Sequence, residues 1–74
     1  MKTNLSQYRP GQSGTITSVL KGDLYAKLIE MGLYKGKHVK VLFRAPFGDP
    51  IAIDIEGYVL SLRKDEADQV QIES

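Results

Sequence analysis

Four side chains in the second half of the sequence, His38, Asp49, Asp54 and Glu56, are of the types that hold a transition metal. Transition metal ions accept imidazole and carboxylate ligands, but a site forms only where several converge on one point. Asp54 and Glu56 are two residues apart and share one face of a strand. His38 approaches them if the strands on either side of Ala45–Pro50 pair. The competing reading is that all four solvate an outer surface, because a single imidazole confers little selectivity. The sequence has one histidine and no cysteine. No thiolate site is available, no firm metal site emerges, and no cofactor is expected. His38, Asp54 and Glu56 are the metal-ligand candidates by type.

Catalysis has less support. An acid, base or nucleophile needs neighbours that orient it and tune its pKa. Ser61, two residues from Arg63, is an outward polar position on a strand. Gly32-Leu33-Tyr34-Lys35-Gly36-Lys37-His38 resembles a phosphate loop only superficially. It is one residue short between the glycines and lacks the Ser or Thr that holds magnesium. It also follows a helix and precedes a strand, the reverse of the order that aims a helix N-terminus at phosphate. A binding role fits better than an enzymatic one.

The chemistry of binding concentrates in Ala45-Pro46-Phe47-Gly48-Asp49-Pro50. Two prolines bound it, and neither can donate to a paired ladder. Gly48-Asp49 supplies turn chemistry. Phe47 is a large ring at a loop tip, and it either folds back onto the domain or faces a partner.

The flanking segments must position that loop. Before it, Val39, Val41 and Phe43 alternate with His38, Lys40 and Arg44; after it, Ile51, Ile53 and Ile55 oppose Asp54 and Glu56. Both read as half-buried strands. Earlier, Leu5 and Tyr8 make one helical turn ending at Pro10-Gly11. Gly14–Lys21 reads as a strand with Ile16, Ser18 and Leu20 on one face and Thr15, Thr17 and Val19 on the other. Asp23 is placed as N-cap of a helix running to Met31, with Leu24, Leu28 and Met31 as its apolar stripe and Tyr25 and Ile29 widening it. Gly32 fits the left-handed position that ends it, with Leu33 closing the end. Gly57 tightens a hairpin into Tyr58–Arg63, where Leu60 and Leu62 share a face with Tyr58. Lys64–Asp68 makes one helical turn, and Val70 and Ile72 a last strand. About five strands with one short α-helix after the first predict a mainly β fold, a small barrel whose closure removes exposed edges.

The 74 residues predict a single domain, 1–74, with a small core. Ten basic and nine acidic side chains leave a net charge of +1, which argues against nucleic acid, whose binders carry a strong basic excess. Residues 1–10 lack the apolar run of a secretory signal, and no stretch approaches the roughly 20 apolar residues of a membrane span. A soluble protein is expected, and the lack of cysteine is compatible with a reducing cytoplasm.

Taken together, Lys27-Leu28-x-x-Met31-Gly32-Leu33-x-x-Gly36-x-x-Val39-x-Val41, then Ala45–Ile51, then Leu60-x-Leu62-Arg63-Lys64-x-x-Ala67, resemble the FeoA family over about Leu5–Ile72. These are small cytoplasmic proteins of bacterial ferrous iron transport with an SH3-like barrel; a similar domain ends some iron- and manganese-dependent repressors. The resemblance implies an accessory role beside FeoB, the membrane transporter whose cytoplasmic part binds GTP. Where the family usually has arginine before the helix leucine, this chain has Lys27, which keeps the charge without the planar fork.

A short helix cannot bury Tyr25, Leu28, Ile29 and Met31 together. The remainder, with Phe47 and Tyr34, is expected to form an apolar patch rimmed by Lys27 and Lys35. The expected partner-binding set is Lys27, Leu28, Met31, Pro46, Phe47, Gly48 and Asp49. A small metal-binding or metal-sensing domain built on His38, Asp54 and Glu56 is the alternative. Pairing between copies through an exposed strand is also open.

Overall fold

The computed structural model describes residues 2–74. Strand β1 (Lys2–Asn4) leads into a 3₁₀ turn (Leu5–Gln7), followed by β2 (Ser13–Val19), α1 (Tyr25–Glu30), β3 (His38–Arg44), β4 (Ile51–Ile55), β5 (Tyr58–Leu62), α2 (Lys64–Ala67) and β6 (Val70–Glu73). All ladders are antiparallel, and the strand order is β1-β6-β2-β3-β4-β5. The mainly β architecture matches the expectation, with six strands rather than about five. The extra strand is β1, three residues with no alternating pattern, placed by its ladder to β6. No ladder joins β1 to β5, so the sheet keeps two edges instead of closing completely.

One core fills the sheet's inner side. Leu5 and Tyr8 of the 3₁₀ turn, Ile16 and Val19 of β2, Leu28 and Leu33 around α1, Val39, Val41, Ile51, Ile53 and Ile55 of β3 and β4, Leu62, Ala67, Val70 and Ile72 all join it. Burial of these side chains is the main favourable term, about 1.5–3 kcal/mol for each large one.

Two β-bulges alter the expected faces. In β3 the register slips between Val41 and Phe43, so that Val41 opposes Ile53, Phe43 opposes Ala52 and Arg44 opposes Ile51. One extra residue sends every later side chain to the other face. Phe43, expected in the core, is 59% exposed. Arg44, expected outside, turns inward, and its Nη1 donates to the carbonyls of Ser6 (2.7 Å) and Tyr8 (2.9 Å). In β2 the slip between Ile16 and Ser18 places Val19 opposite Val70 on the core side. Leu20, expected beside Ile16, is exposed.

The helix is shorter than expected. Leu24, in helical conformation, occupies the N-cap position of α1, and no side chain caps it; Asp23 does not serve. Its C-terminus is as expected: Gly32 has φ +96°, its amide donates to the Ile29 carbonyl, and the Leu33 amide donates to the Leu28 carbonyl. These are the two bonds of a Schellman motif, which a residue with positive φ makes possible.

Candidate docking site at the proline-bounded loop

The loop between β3 and β4 is closed from within. The Ala45 amide donates to the Pro50 carbonyl at 3.0 Å, and the Gly48 amide to the Ala45 carbonyl at 2.7 Å. Ala45–Gly48 is therefore a tight turn, with Pro46 setting the backbone at its second position. Phe47 sits at the tip and is 97% exposed. It does not fold back onto the domain. An aromatic ring held in water by a hydrogen-bonded turn is the most conspicuous surface feature of the molecule.

The loop is also fastened from outside. Asp49 Oδ1 accepts from the Lys64 amide at 3.0 Å, at the N-terminus of α2. The same helix grips α1. Glu66, nearly inaccessible, accepts from the Arg63 amide through Oε1 at 2.9 Å, and its Oε2 meets Lys27 Nζ at 2.5 Å. Lys27, foremost, together with the Arg63 amide, holds the Glu66 carboxyl below its ordinary value; burial opposes them. α2 thus ties the loop on one side and α1 on the other. Lys27 and Asp49, chosen from the sequence as contact residues, are brought to either side of it.

The other expected contacts divide. Pro46 is exposed and Gly48 half-buried. Met31 packs partly against the core, and its carbonyl accepts from the Tyr58 hydroxyl at 2.8 Å. Leu28 must be corrected: it is fully buried and cannot touch a partner without unfolding α1. The expected single patch also divides. Tyr34 and Lys35 line a groove with Tyr25, Ile29, Lys21 and Val19, and Phe47 does not line it. Two other apolar side chains of β3 are exposed: Leu42, on the outward face by simple alternation, and Phe43, turned outward by the bulge. Sequence periodicity hid Phe43, since it assumes an unbroken alternation.

The metal candidates do not assemble. Glu56 Oε2 accepts from the His38 backbone amide at 3.1 Å, and its Oε1 meets Lys37 Nζ at 3.3 Å. The His38 amide, then Lys37, draws the Glu56 carboxyl below its ordinary value. Tyr34, foremost, and Glu56 raise Lys37. Asp54 Oδ1 accepts from the Gly57 amide at 3.0 Å, inside the hairpin turn. Asp49 is committed to α2. Among the described residues, no group of three His, Cys, Asp or Glu is placed to hold a metal ion.

The FeoA domain model matches residues 3–74. The chain belongs to the FeoA family. It is 33% identical over 70 residues to an Fe(2+) transport protein A/Fe(2+) transporter FeoB fusion protein of Porphyromonas gingivalis, a match that covers 93% of this chain. The chain spans only 8% of that relative's length. A FeoA-like protein of Clostridium acetobutylicum has a similar structure, with a TM-score of 0.91, 30% identity, and coverage of 97% of this chain and 85% of that one. A zinc complex of FeoA from Stenotrophomonas maltophilia, described as a prokaryotic SH3 domain protein, aligns with a TM-score of 0.84 at 25% identity, over 96% and 89% of the two chains. FeoA is a small accessory family linked to ferrous iron transport. The SH3-like architecture expected from the resemblance is that of these relatives. No helix among the described residues is long and apolar enough to cross a membrane.

Proposed function

We propose that this domain docks on the cytoplasmic part of a FeoB-type ferrous iron transporter and modulates iron uptake, acting by binding rather than by catalysis. The observation that carries the reading is Phe47, fully exposed at the tip of a turn closed by its own backbone and fastened to α2 through Asp49. The backbone beneath the anchor is already ordered, so covering it costs the freedom of the ring and little more. Pro46, Gly48 and Asp49 frame it, and the helix that Asp49 reaches, α2, is tied through Glu66 to Lys27 of α1. The fusion of the two proteins in one chain of Porphyromonas gingivalis supports association between a FeoA domain and a FeoB transporter. It also favours a position at the cytoplasmic face of the membrane.

The test is a titration of the purified cytoplasmic part of a FeoB transporter with the wild-type domain and with Phe47→Ala. Burying a phenylalanine is worth about 1.5–3 kcal/mol, so the variant should bind about 10- to 150-fold more weakly while remaining folded. Equal affinity of a folded variant would remove Phe47 as the anchor. The metal-sensing alternative has less support, because its two carboxylates are already engaged, Asp54 by the Gly57 amide and Glu56 by the His38 amide and Lys37.

A further inference from the structure

We infer that β5 is the seam of a homodimer, in which Tyr58–Leu62 pairs antiparallel with the same strand of a second copy, Leu60 facing Leu60 across a twofold axis. This is independent of the docking role of Phe47.

β5 ends the strand order and has β4 as its single neighbour. The turn before it has two residues, Glu56 and Gly57, both with positive φ, and Ile55 opposes Tyr58. In such a hairpin the residues flanking the turn exchange both backbone bonds, and the pattern then alternates. Leu60 and Leu62 therefore bond β4, while the amides and carbonyls of Val59 and Ser61 point away from it. The edge is bounded at both ends. The Gly57 amide is taken by Asp54, and the Arg63 amide by Glu66.

Exposed edges are normally blunted by shortness, charge, proline or a bulge. β1 at the other edge has only three residues and carries Lys2. β5 has five residues, no charge, no proline and an unbroken register with β4. Its exposed side chains include Tyr58 (48%) and Val59 (62%), and Leu60 is only partly buried.

One register satisfies this edge. With Leu60 opposite Leu60, Val59 of each copy faces Ser61 of the other, and both pairs exchange both of their bonds. Tyr58 then faces Leu62, and the two half-covered Leu60 side chains cover each other. The charges agree as well. Glu56 lies just before the strand and Lys64 just after it, so an antiparallel pairing brings opposite charges to the same end of the seam. A register with Val59 opposite Val59 would instead spend the occupied Gly57 amide.

Sedimentation velocity on the full chain, up to millimolar concentration, tests the seam. The wild-type chain should shift from monomer to dimer as concentration rises. Ser61→Pro removes a donor that points away from β4; it should remain folded by its amide NMR spectrum and stay monomeric. Leu60→Glu and Leu60→Lys should each be monomeric alone and form a mixed dimer when combined, because the register sets these charges face to face. A wild-type chain that stays monomeric at millimolar concentration, or a folded Ser61→Pro variant that dimerises like wild type, would overturn the proposal. Folded Leu60 variants that fail to recombine would overturn the register.

Discussion

Replacing Glu66 by glutamine removes a charge while preserving the shape of the side chain. Glutamine can still accept from the Arg63 amide through its carbonyl oxygen, as the capping arrangement permits. What is lost is the ion pair to Lys27. Breaking a fully buried pair by removing one partner costs about 3–5 kcal/mol, and an exposed pair is worth about 0–1 kcal/mol. This pair is mixed, with the glutamate side chain 5% and the lysine side chain 58% exposed. An intermediate loss of about 1–2 kcal/mol follows. A domain of this size has a total stability of about 4–11 kcal/mol, and each kcal/mol moves its melting point by about 4–8 °C. The folded-state pKa of Glu66 lies below its unfolded value. Its contribution is therefore fully present above the unfolded value, near pH 4.3, and is lost as the pH falls through the folded one. Urea unfolding of wild type and Glu66→Gln should differ at neutral pH and converge in acid. Equal stability at neutral pH, with the same acid profile, would refute the assignment. A double-mutant cycle with Lys27→Met should return a coupling of about 1 kcal/mol.

Two further perturbations test how the loop's supports are held. Arg44→Met keeps the aliphatic stem but leaves the Ser6 and Tyr8 carbonyls without their charged donor. The loss should be about 2 kcal/mol in chemical unfolding, with hydrogen exchange faster first around Leu5–Tyr8. Gly32→Ala forces a side chain into positive φ, at about 1–2 kcal/mol, and crowds the Tyr58 hydroxyl. Thermal unfolding should show the loss.

Local signals were legible wherever one residue type satisfies one backbone demand. Gly32 with Leu33 ended the helix where expected, Gly57 made the hairpin, and Leu5 with Tyr8 docked as a single turn. The faces of β2 and β3 were legible only as far as the bulges. Nothing in Val41-Leu42-Phe43 marks an extra residue, because the bulge is set by the pairing with β4 and by Arg44 reaching the 3₁₀ turn. That one insertion exchanged a supposed core phenylalanine for an arginine. Leu28 was placed on the right stripe but assigned the wrong duty, since depth of burial depends on what packs above it. The partnership of Lys27 with Glu66 joins two helices distant in sequence, and neither local periodicity nor spacing encodes it. Asp23 had the right chemistry for a cap, yet the chain enters α1 through a turn at Leu24 instead.

The ladder between β1 and β6 has a consequence for how nature can wire this domain. Lys2 lies opposite Glu73, so polypeptide enters and leaves side by side, at the end of the strand order remote from β5. Additional sequence grafted at either extremity would extend β1 or β6, strands that take no part in the β3–β4 loop or the β5 ladder. Adjacent ends let such a unit be inserted in a longer polypeptide without pulling its first and last strands apart.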